Sequence, residues 1–68
     1  MKGKLHDELR PIILKFLEYG PLSFNNLIEN LTGLYCNTDR LINVTIEILT
    51  DLDEENLIDL EDRKFKLK

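Results

Sequence analysis

The chain has 68 residues, 43% of them hydrophobic and 32% charged, with a formal net charge of −4 and a single cysteine. A chain this short buries only roughly 60% of the surface it exposes when unfolded, so residues 1–68 are expected to form one small domain without a deep pocket. One cysteine, Cys36, and one histidine, His6, exclude an internal disulfide and a structural zinc site of four Cys and His ligands.

The longest apolar run near the start, Ile12 to Leu14, is far too short to span a membrane, and no apolar signal core follows Met1. A reduced, cytoplasmic protein without membrane contact is therefore expected. Gly20-Pro21, Thr32-Gly33 and the acidic run Asp51 to Glu55 punctuate the chain. Between them fit three helices, over about residues 7–19, 24–32 and 38–54, and a β-hairpin over about 57–68.

In the first segment Leu9, Ile12, Ile13, Phe16 and Leu17 recur at helical spacing, with Arg10, Lys15 and Glu18 on the other side. Pro11 requires that helix either to begin near Arg10 or to bend there. Ser23 is placed to cap a second helix, in which Phe24, Leu27, Ile28 and Leu31 stand at i, i+3, i+4 and i+7, closed by Gly33. Asn37 or Thr38 caps the third, with Asp39 favouring the positive end of its dipole.

The last residues switch to a period of two. With Asp62-Arg63 at the turn, Leu60 faces Phe65 and Ile58 faces Leu67 on one side of the hairpin, and Glu61 faces Lys64 and Asp59 faces Lys66 on the other. The turn lacks the glycine usual in a two-residue loop, so a longer loop with a shifted register is the competing arrangement.

Three helices followed by a hairpin, with Pro21 to Leu31 as a capped second helix and Leu49-Thr50-Asp51-Leu52-Asp53-Glu54-Glu55-Asn56-Leu57-Ile58 running into the strands, resemble the winged helix-turn-helix superfamily. The resemblance covers nearly the whole chain and implies an α+β, mainly α fold with the hairpin as its wing. Asn56 stands where that pattern has Gly, and Asn is the residue other than Gly that most readily adopts the left-handed conformation needed there. The resemblance also implies a third helix that reads a DNA major groove, a wing on phosphates, and frequent pairing of two copies.

The chain's own charges point elsewhere. Projected at about 100° per residue, the third helix offers one cation, Arg40, against the carboxylates Asp39, Glu47, Asp51 and Glu54. Carboxylates are repelled by DNA phosphates. Ile42 and Ile46 widen the apolar stripe of that helix beyond what packing on one neighbour requires, which suggests core packing or a homodimer or partner seam. The first expectation is thus a regulatory or adaptor module that docks a protein with a basic surface through Asp39, Ile42, Ile46, Glu47, Asp51 and Glu54.

The alternative is a dimeric DNA-binding regulator. It would use Thr38, Arg40 and Asn43, whose Arg and Asn types suit guanine and adenine edges, with Arg63, Lys64, Lys2 and Lys4 on phosphates. Residues 5–62 carry Arg10, Lys15 and Arg40 against all thirteen carboxylates, a balance of −10, while the two ends contribute +6. No catalytic constellation, metal motif or phosphate-binding glycine loop is present, so neither an enzyme nor a cofactor is expected. His6 reads as a solvated side chain in a mobile N-terminal stretch, and Cys36 as a small buried apolar residue.

Overall fold

The structure is a computed structural model that describes residues 3–36 and 38–68. Along the chain run α1 (Lys4–Glu18), β1 (Leu22–Ser23), α2 (Phe24–Thr32), α3 (Asp39–Glu54), β2 (Ile58–Glu61) and β3 (Lys64–Leu67). The hairpin strands and β1 form one antiparallel sheet in the order β1-β3-β2. The described residues are thus mainly α, with a small sheet. Lys2 and Asn37, named above as a phosphate contact and a possible cap, lie outside the described residues.

The first helix begins earlier than periodicity alone suggests and continues through Pro11. Proline lacks the N–H that would bond the carbonyl of Asp7, four residues back. Both residues are exposed, so water can take that carbonyl. His6, Leu9, Ile13 and Leu17 form the buried face. The helix ends at Glu18, and two residues on Gly20 turns the chain with a φ of 143°, a backbone conformation that residues with a side chain rarely adopt.

The expected two-stranded hairpin is present, and β1 adds a third strand to it. Leu22 pairs with Phe65 and Ser23 with Lys64, which makes β3 the central strand. Two residues carry no periodicity to read. Ser23 also caps α2 as expected, its Oγ accepting the Asn26 N–H at 3.2 Å. Gly33 closes α2 with a right-handed φ of −72°, so its glycine freedom is not used. Beyond it Tyr35 packs against the core while Cys36 is exposed, contrary to the expected burial. The linker turns its large aromatic residue inward at the cysteine's expense.

Thr38 caps α3 by accepting the Leu41 N–H at 3.2 Å. Leu41, Thr45, Ile48, Leu49 and Leu52 face inward, and the Thr45 hydroxyl, wholly buried, donates to the Leu41 carbonyl at 2.8 Å. At the far end Asn56 takes φ 60°, Leu57 N–H bonds the Leu52 carbonyl and Asn56 N–H bonds the Asp53 carbonyl, each at 3.0 Å. This is a Schellman closure, and the left-handed residue at its centre is the asparagine singled out above. Asn56→Ala is expected to lower unfolding free energy by about 1–2 kcal/mol in a urea titration, the cost of the left-handed state for a residue with a plain Cβ.

The hairpin adopts the expected register, Ile58 with Leu67, Asp59 with Lys66, Leu60 with Phe65 and Glu61 with Lys64. Its two-residue loop holds because Asp62 and Arg63 both accept positive φ, 53° and 62°, as a type I′ turn requires. The longer loop is therefore not used. The ion pair within the hairpin runs diagonally, from Lys66 Nζ to Glu61 Oε2, and this hydrogen bond raises the Lys66 pKa. Arg63→Gly is expected to raise unfolding free energy by about 1 kcal/mol in the same titration, because Gly occupies the left-handed region without strain.

Candidate functional site

The outward face of α3 is built by its periodicity. Asp39, Arg40, Asn43, Ile46, Glu47, Thr50, Asp53 and Glu54 are exposed. One side of this face adjoins α1 and the other overlooks the sheet. Arg40 is its single cation, and its Nη2 lies 3.9 Å from where a Cβ on Gly3 would stand, so the guanidinium leans toward the start of α1. Ile42 is half-buried, whereas Ile46 remains 48% exposed.

Asp51 departs from the expected exposed position. Its side chain is only 24% exposed, and its Oδ2 lies 3.1 Å from His6 Nε2. An ionised carboxylate can only accept, so Nε2 donates. His6 is correspondingly not a solvated residue of a loose terminus: it is 5% exposed and sits in the first turns of α1. Its Nδ1 is buried without a hydrogen-bond partner, 3.9 Å from Asp7 Oδ1. Burial of a polar ring is tolerable when at least one nitrogen is satisfied, and here Asp51 provides that. The spacing of a histidine 45 positions from its partner leaves no trace in sequence.

Four residues beyond His6, Arg10 makes a two-pronged contact with Glu55, Nη1 to Oε2 and Nη2 to Oε1, both 2.8 Å. The two contacts align α1 alongside the end of α3. The guanidinium hydrogen bonds hold the Glu55 carboxyl below its ordinary range, and those same bonds raise the Arg10 pKa. Because the folded-state pKa of Glu55 is depressed, its stabilising contribution is present above the unfolded value and is lost as pH falls through the folded one. Thermal melts of Glu55→Gln against the parent should differ near neutrality and converge in acid. Both side chains are substantially exposed, so the difference will be small.

Toward the sheet, α3 and the hairpin enclose an open cleft of about 250 Å³. Phe24, Leu49, Ile58 and Phe65 line it together with the exposed Ile46, Thr50, Asp53, Asp59 and Leu60. Leu60 is 59% exposed. Of these residues the sequence singled out Ile46 as a seam. Leu60 and Asp53 were missed because their place in one cleft depends on how the hairpin folds back against α3.

The residues of the DNA reading occupy two places. Thr38, Arg40 and Asn43 are exposed at the start of α3, and Arg63 and Lys64 are exposed at the hairpin turn. Lys4 is exposed at the start of α1. No protein-family model, curated protein or solved structure matches the chain. Its surface is the basis for assigning a role. Among the described residues no group of three or more His, Cys, Asp or Glu side chains is placed to hold a metal ion, and no helix is long and apolar enough to cross a membrane.

Proposed function

We propose that the chain is a winged-helix module that acts by binding, without catalysis, docking a cytoplasmic protein with a basic surface on the outward face of α3. Such a module serves as an adaptor, or as an inhibitor that mimics the charge of DNA, in a nucleic-acid-linked process. The observation that carries this reading is the composition of the face: Asp39, Glu47, Asp53 and Glu54 are exposed, with one cation, Arg40, and the half-exposed Ile46 among them. Like-charged carboxylates grouped this way steer a cationic partner and repel phosphates. The winged-helix reading is supported by three helices leading into a hairpin and by the left-handed Asn56 at the position of the pattern's glycine.

The test uses Glu47→Lys with Glu54→Lys. Both positions are exposed, and a lysine at residue 54 suits the negative end of the α3 dipole, so the fold should tolerate it. Binding of a Lys-rich peptide, followed by fluorescence anisotropy, should weaken about tenfold, roughly 1.4 kcal/mol, and the parent's affinity should fall steeply with salt. Unchanged binding would reduce the acidic face to a solubility device.

A second reading, a dimeric DNA-binding regulator, is favoured by Thr38, Arg40 and Asn43 lying exposed in the first turns of α3 and by the cationic hairpin turn. Mixed-sequence duplex DNA added at low salt would then shift the amides of Thr38 to Asn43 and of Arg63 and Lys64, in a salt-sensitive manner.

A further inference from the structure

We propose that the cleft between α3 and the hairpin is the anchor site of the docking face, taking an apolar side chain from a basic helical segment of the partner while Asp53 and Asp59 hold flanking Lys or Arg. This rests on the protein-docking reading and specifies the chemistry of the segment that is bound.

Size comes first. At about 250 Å³ the cleft lies below the roughly 300–1,000 Å³ usual for small-molecule sites, yet has room for a large apolar side chain. Its lining includes Ile46, 48% exposed, and Leu60, 59% exposed, two large aliphatic residues left open in a chain whose core is thin. Burying them against an inserted side chain is the hydrophobic gain that a docking segment would realise.

Charge then selects the occupant. Among the described residues that line the cleft, Asp53 and Asp59 are acidic and none is Lys or Arg. A second copy of the chain in a two-fold pairing would set this acidic rim against its own image, which is repulsive. Strand addition along the edge strand β2 would have to displace a bond already made, since its Leu60 N–H donates to Asp59 Oδ1 at 3.0 Å. A helix with an apolar stripe and basic flanks meets both constraints, since it satisfies its own backbone and needs only the groove and the rim.

The experiment compares two synthetic peptides of identical composition, one with leucines at i, i+3, i+4 and i+7 among lysines, the other with the leucines scattered. Amide and methyl NMR of the whole chain should show the striped peptide shifting Ile46, Leu60 and Phe65 and binding at least about tenfold tighter than the scattered one. Leu60→Lys, at an exposed position, should remove that preference, and Ile46→Asn provides a second variant should the first disturb the hairpin. Equal binding of the two peptides, with shifts confined to Glu47 and Glu54, would overturn the anchor site while leaving the acidic face intact. Absence of binding by either peptide, with duplex DNA shifting Thr38 to Asn43, would overturn both. Concentration-dependent dimerisation abolished by Leu60→Lys in analytical ultracentrifugation would assign the cleft to a second copy and overturn the proposed occupant.

Discussion

Leu52→Ala is expected to remove about half of the folding free energy of this protein. A 68-residue domain has about 3–10 kcal/mol to lose. Leu52 is wholly buried in the last turns of α3, among core residues contributed by all three helices and β2. Truncating a leucine in such a site costs about 2–5 kcal/mol, because the transfer free energy of the lost carbons is joined by a cavity that a thin core closes only in part. Leu52 also supplies the carbonyl that accepts the Leu57 N–H, so loosening it disturbs the closure that leads into β2. Urea unfolding followed by circular dichroism should show the midpoint falling by about half, with Leu52→Met costing less than about 1.5 kcal/mol. A loss under about 1 kcal/mol for the alanine variant would mean that the end of α3 is not part of the cooperative core.

Removing the histidine should have the next largest effect. His6→Ala takes away a buried ring and its hydrogen bond to a charged acceptor, a class of bond worth about 1.5–3 kcal/mol, and leaves a void beneath the first turns of α1. His6→Phe refills most of that volume but removes the ring N–H that Asp51 accepts. Because the Asp51 side chain is 24% exposed, water can solvate its carboxylate and the loss should fall toward the lower end of the range. Asp51→Asn keeps an acceptor oxygen for Nε2 and should cost least. The expected order of destabilisation is Asp51→Asn, then His6→Phe, then His6→Ala, and hydrogen exchange should accelerate first at Asp7 and Glu8. If His6→Phe were as stable as the parent, packing alone would account for the residue. The same contact makes Asp51 unsuitable for charge-reversal tests of docking, since a lysine there would break the fold as well as the face.

Much of the fold was legible from local rules. The buried positions Leu9, Ile13, Leu17, Leu27 and Leu31 follow helical spacing, Ser23 and Thr38 are caps by chemistry, and the hairpin register follows from alternating residues of matched size and charge. Each of these depends on neighbours within a turn or across a two-residue loop, where the chain offers few alternatives. The acidic character of the α3 face was readable from composition and helical phase, which placed Asp39, Glu47 and Glu54 outward, whereas Asp51 is tied inward and Asp53 stands exposed. The DNA-contact set was readable as residue types, although Lys2 lies outside the described residues.

The remainder concerns partners distant in sequence. His6 with Asp51 and Arg10 with Glu55 are each 45 positions apart, and β1 is two residues recruited by β3. Local pattern assigned His6 to solvent and Cys36 to the interior, and packing reversed both, since burial is decided by what lies opposite a residue once the helices have met. The cleft is of the same kind. The sequence alone determined three amphipathic helices, the Ser23 cap, a hairpin whose matched pairs favour one of two registers, and an acidic third helix, all of them consequences of short-range periodicity and charge. Only the tertiary structure decided which carboxylate is tied inward and that Ile46, Asp53, Asp59 and Leu60 line one cleft, because long-range packing alone brings α3 and the hairpin together.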